Sequence, residues 1–143
     1  MTEIRRDDAP RASSERAVEL RISPSLENLA VIRTLVGAIA SYEDLDLDTV
    51  ADLRLAIDEL CTQLVRSAAP GATLTVVVDS SEQDLTIRAS TAGNGAEVLT
   101  PGTFSWHVLT SLVDEVVPFR DGASDTDGAF GVTLTTRRAD SAR

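Results

Sequence analysis

AIDELCTQLVRSAA, Ala56 to Ala69, is the stretch on which the fold turns. Wound at about 3.6 residues per turn, it extends a stripe of Val50, Leu53, Ile57, Leu60, Leu64 and Ala68, the pattern of a helix packed against a sheet. Glu59, Thr62, Gln63 and Arg66 share the adjoining face. Glu59 and Gln63 stand one turn apart, at i and i+4, where a carboxylate and an amide can reach one ligand. The plainer reading of the same four residues is the solvated flank of an amphipathic helix. Cys61 is the single cysteine. It has no partner for a disulfide and no Cys or His at metal-ligand spacing, so it reads as a small core residue, with a redox role as the alternative.

The surroundings of this helix narrow the possibilities. A chain of 143 residues fits one domain, and with 43% hydrophobic but only 3% aromatic residues its core must come from Leu, Val, Ile and Ala. No apolar run nears the roughly 20 residues of a membrane span, and the polar MTEIRRDDAPRASSER is unlike a secretory leader, so the protein is expected in the cytoplasm. A net charge of −10 opposes binding to nucleic acid phosphates. All thirteen basic residues are arginine, so chemistry that needs a lysine is excluded. His107, the only histidine, lies beside Trp106 and reads as a helix-surface residue before it reads as a catalytic base.

In chain order, residues 1–16 form a charged arm, 17–138 one domain and 139–143 a tail. Ala17–Ser23 alternates like a half-buried strand. Ser23 or Ser25, with Pro24, starts a helix over LENLAVIRTLVGAIASY, which sends Leu26, Leu29, Ile32, Val36 and Ile39 to the core. Ala30, Arg33 and Gly37 make a second surface, on which Arg33 is either presented to a partner or simply snorkelling. Thr49 and Asp52 resemble a capping box for the central helix, and the nearby aspartates lack EF-hand spacing. SAAPGA ends that helix. A hairpin follows, Ala72–Asp79 and Asp84–Thr91 around SSEQ, and its second strand runs into TAGNG. PGT then opens FSWHVLTSLVDEV, with Phe104, Val108, Leu109, Leu112 and Val113 on its apolar side. Two further strands close the chain around a Gly/Asp/Ser loop. Helices against a mostly antiparallel sheet make an α+β two-layer sandwich.

This order, from LENLAVIRTLVGAIA through AIDELCTQLVRSA, GNG and HVLTSLVDEV to GVTLT, resembles the RsbW-type anti-sigma factor and serine kinase family, and among its members the actinobacterial anti-sigma-F factors most. The resemblance covers residues 17–138 and implies the Bergerat (GHKL, histidine-kinase-like ATPase) fold, a mixed, mostly antiparallel sheet covered on one face by helices. It implies a protein that sequesters an alternative, stress- or sporulation-type sigma factor and is countered by an anti-anti-sigma protein of STAS type. A homodimer is implied too. Arg33 matches the first-helix arginine that contacts both partners. A residue shared in this way makes the two partners compete.

The resemblance also implies ATP or ADP with Mg²⁺, and serine kinase activity toward the antagonist, as the alternative function. On the DEACTNA-like motif fall Asp58, Glu59, Cys61, Thr62 and Gln63, with Glu59 as the carboxylate that polarises an acceptor hydroxyl. Gln63 stands where the family's asparagine ligates Mg²⁺. Its longer side chain moves the carbonyl outward, against the tight octahedral geometry at about 2.1 Å that Mg²⁺ demands. Thr91 replaces the adenine-binding aspartate before Gly93 and Gly95. The glycines of the phosphate loop fall on Thr103 and Ser105, with Gly102 displaced by one. Thr133, in GVTLT, completes the implied nucleotide set. The resemblance in fold is close, while all three nucleotide motifs carry substitutions.

Overall fold

The computed structural model of the chain describes residues 15–93, 100–121 and 128–138. Most of the expected arm, the whole tail, Gly95 and most of the Gly/Asp/Ser loop lie outside these residues. Strand β1 (Val18–Ile22) leads to a single 3₁₀ turn, Leu26–Asn28, and then to helices α1 (Leu29–Tyr42) and α2 (Leu47–Ser67). The hairpin β2 (Leu74–Ser80) and β3 (Asp84–Ala92) follows, then α3 (Phe104–Leu112), β4 (Glu115–Asp121) and β5 (Ala129–Arg137). The five strands form one sheet in the order β1-β2-β3-β5-β4, and every pairing is antiparallel.

The alternation of each strand decides which face is covered. Leu74, Val76 and Val78 of β2, Leu85, Ile87 and Ala89 of β3, and Phe130, Val132 and Leu134 of β5 are all buried on one face. The helices lie on that face, with α2 in the middle of the layer, packed against α1, α3 and β3. Its stripe is as the periodicity predicts: Val50, Leu53, Ile57, Leu60 and Leu64 are buried, while Ala68 is the cap just beyond the last turn. Truncating Leu60 or Leu64 to alanine would cost about 2–5 kcal/mol, since a close-packed core relaxes only in part around the cavity.

Helix boundaries follow local chemistry that periodicity does not show. Asp46, in place of the Thr49/Asp52 capping box expected, caps α2 by accepting from the Thr49 N–H at 2.7 Å. That hydrogen bond keeps the Asp46 carboxyl below its usual range. At the end of α1, Leu45 N–H donates to Ala40 O (3.1 Å) and Asp44 N–H to Ser41 O (3.0 Å), closing the helix with Asp44 at φ 65°. Leu26 was expected in the core but is 55% exposed. It sits in the 3₁₀ turn, whose tighter winding takes it out of phase with Ile32 and Val36. Phe104 is 78% exposed, as the first residue of α3, whereas Leu109 reaches the core. The third helix also stops at Leu112. The chain is extended at Val113, and Asp114 N–H donates to Thr135 O (2.9 Å) at the start of the β4 pairing.

One charged knot ties the far corner together. Glu43, whose side chain is 9% exposed, accepts at Oε1 from Arg16 and from Arg138, the latter at 2.8 Å. Arg138 also donates to Glu43 O (2.6 Å) and Ser81 O (2.8 Å). The approach to β1, the end of α1, the β2–β3 turn and the end of β5 thus meet at one carboxylate.

Candidate functional site

At the α2–α3 seam, three of the residues that the sequence singles out come together. Thr103 caps α3, its hydroxyl accepting from Trp106 N–H (3.2 Å) and donating to Thr100 O (3.0 Å). This cap fixes the first turn of the helix so that Ser105 faces α2. The Ser105 hydroxyl donates to Glu59 Oε2. The same oxygen accepts from Gln63 Nε2 at 3.2 Å. The i, i+4 spacing therefore does unite carboxylate and amide, but they bond to each other. Thr62, on the same polar flank, turns back to donate to Asp58 O (2.7 Å).

The strand-end residues are committed elsewhere. Thr91 is buried, and its hydroxyl donates to Thr73 O at 2.9 Å. Gly93 forms a bridge with Ala68, and Ala69 N–H donates to Ala92 O (2.9 Å). A Cβ at Gly93, where φ is +154°, would stand 2.2 Å from Ser67 O. The glycine is thus demanded by the end of α2 pressing on β3. Gly102 has φ +99° with open space around it. Thr133 alternates with the buried Val132 and Leu134, and so lies on the uncovered face, paired with Arg88 and Val117. There Arg88 stacks on Phe119, 3.9 Å from the ring centre. Glu59, Gln63 and Ser105 are assembled, while Thr133 is on the other side of the sheet.

Set against the ATP and Mg²⁺ that the resemblance implies, the described residues do not fit as they stand. One oxygen of the Glu59 carboxylate is shared by two internal donors, the Thr91 proton is given to a backbone carbonyl, and the Thr103 hydroxyl serves the helix cap. Among the described residues no group of three His, Cys, Asp or Glu could hold a metal ion. Nor is any helix among them long and apolar enough to cross a membrane.

The other flank of α2 faces α1. Arg33 Nε lies 3.3 Å from Asp58 Oδ1, with the two side chains 39% and 42% exposed. The facing atoms themselves are shut off from water and make no hydrogen bond. Arg33 is thus half-presented, held by a contact that leaves hydrogen-bonding capacity unused. Nothing in the sequence announced this pair, since residues 25 positions apart on separate helices carry no local signal. Cys61 beneath it is fully buried, and burial, helped by the Asp58 charge, pushes its thiol up to about 12. A thiol so placed is inert at neutral pH, which leaves the core reading of Cys61.

No family model matches the chain. It is similar to the "Anti-sigma-F factor RsbW" of Mycobacterium tuberculosis strain CDC 1551 / Oshkosh, 58% identical over 130 residues. The protein of the same name from strain ATCC 25618 / H37Rv matches at the same identity. Each alignment covers 90% of this chain and 77% of the relative.

Proposed function

The chain belongs to the RsbW family of anti-sigma factors, and from that membership we propose that it binds and sequesters an alternative sigma factor in the cytoplasm, where RNA polymerase works. The observation that carries the reading is the likeness to anti-sigma-F factor RsbW over 90% of the chain. Arg33 is the contact we assign to the partner surface. It is half-exposed on the α1–α2 ridge and incompletely hydrogen-bonded, as suits an interface anchor that trades an internal carboxylate for one on a partner. An anti-anti-sigma protein of STAS type competes for the same arginine and so releases the sigma factor. The protein works as a homodimer. In a pull-down with the sigma factor, Arg33→Glu abolishes retention; unchanged retention would place the contact elsewhere.

A second reading, ATP-dependent serine kinase activity toward the antagonist, is favoured by one feature: Glu59 does accept a serine hydroxyl, that of Ser105. In that reading Gln63 would have to leave Glu59 to serve Mg²⁺, Thr91, Gly93 and Gly95 would border the nucleotide, Thr133 on the opposite face of the sheet takes no part, and catalysis is positioning and charge stabilisation. The Glu59→Ala protein then fails to transfer phosphate from ATP to the STAS partner. Absence of transfer by the unaltered protein leaves sequestration alone.

A further inference from the structure

Two of the positions at which the resemblance implies substitutions in the nucleotide motifs are the two that bond Glu59. Gln63, in place of an asparagine, supplies an amide N–H long enough to reach back one turn to Oε2 at 3.2 Å. Ser105, in place of a glycine, supplies the hydroxyl that reaches the same oxygen from α3. A glycine there could not make the contact. The substitutions are therefore complementary, and together they occupy one oxygen of the carboxylate, Oε2, from within the chain.

We propose that Ser105 is an internal stand-in for an acceptor hydroxyl: its Oγ–H holds Glu59, with Gln63 closing from below, and latches α3 onto α2. A magnesium nucleotide, or an acceptor serine, that needs Oε2 of Glu59 then enters by displacing Ser105. The latch is built of neutral donors on one carboxylate oxygen, and Glu59 makes no ion pair among the described residues, so release leaves no buried cation unpaired. Hydrogen bonds to a carboxylate are stronger than neutral ones yet remain exchangeable for an equivalent donor. Trp106, the only tryptophan, follows Ser105 on α3 and is half-buried, so it reports the state of the latch. The inference rests on the family reading solely for which residues ordinarily occupy positions 63 and 105.

The test compares the unaltered chain with Ser105→Ala, Ser105→Thr and the double variant Gln63→Asn/Ser105→Gly. Isothermal titration with Mg·ATP and Mg·ADP measures affinity, and Trp106 emission measures release of α3. Ser105→Ala and the double variant are expected to bind nucleotide at least tenfold more tightly, with red-shifted emission, while Ser105→Thr keeps the hydroxyl and behaves as the unaltered chain. Affinity within twofold across the set overturns the proposal, even if the emission shifts, because Ser105 then serves packing alone. Unchanged emission in Ser105→Ala overturns it too. Circular dichroism of each variant identifies failure to fold, and Ser105→Thr remains informative if the glycine variant is lost. Failure of the family reading is seen separately, in the Arg33→Glu pull-down.

Discussion

Glu43 and Glu59 are both sheltered glutamates where α2 or its approach meets another part of the chain, yet they are treated differently. Glu43 is met by two guanidinium groups, from Arg16 and Arg138, and burial, which alone would raise its pKa, is outweighed by hydrogen bonds from Arg16, Arg138 and Ser80 and by the Arg16 charge. Its carboxyl is held below the ordinary range. Glu59 is met by an amide and a hydroxyl only. A carboxylate neutralised by fixed cations is a structural joint. One satisfied by displaceable neutral donors can exchange them for a ligand or a substrate without stranding a charge.

Mutation tests whether the two glutamates differ in this way. The largest effect is expected at Gly93, the rigid element at the site end of the sheet. Gly93→Ala should cost about 3 kcal/mol or more in urea unfolding, because its methyl collides with backbone that cannot retreat. A cost below about 1 kcal/mol would show that α2 and β3 can part. Next, Glu43→Ala should cost about 2 kcal/mol by leaving Arg138, 18% exposed, without its carboxylate. The Glu43 contribution is also pH-dependent. Because its folded pKa is depressed, the contribution is fully present above the ordinary carboxylate value of about 4.3 and is lost as pH falls through the lower folded value. Thermal unfolding of the Glu43→Ala protein should therefore depend less on pH below about 4.3 than that of the natural chain. Smallest is Glu59→Gln, expected to change stability by about 1 kcal/mol or less, since an amide oxygen still accepts from Ser105 and Gln63. A loss matching that of Glu43→Ala would make Glu59 a second joint and remove the distinction.

Much of the fold was legible beforehand, for a stateable reason. Alternation along β2 and β3 and the stripe on α2 are repeated signals in which each residue confirms its neighbours. Ends were less legible: the Asp46 cap and the early stop of α3 at Leu112 each rest on one or two hydrogen bonds, which periodicity cannot resolve. The candidate site was legible as a set of residues through family resemblance, and the pairing of Glu59 with Gln63 through helical spacing. That Ser105 bonds Glu59, 46 positions away in sequence, could not be read, nor could the Arg33–Asp58 contact or the Glu43 knot. These depend on how helices and strands dock, and docking has no local signature.

Asp58 and Glu59 are consecutive residues on α2, and a helix turns about 100° between one side chain and the next. One therefore addresses α1 through Arg33 and the other addresses α3 through Ser105. The central helix is thus one tightly packed element that carries both contacts on neighbouring side chains. On the reading proposed above, a partner over Arg33 and a ligand at Glu59 would meet the two sides of a single turn.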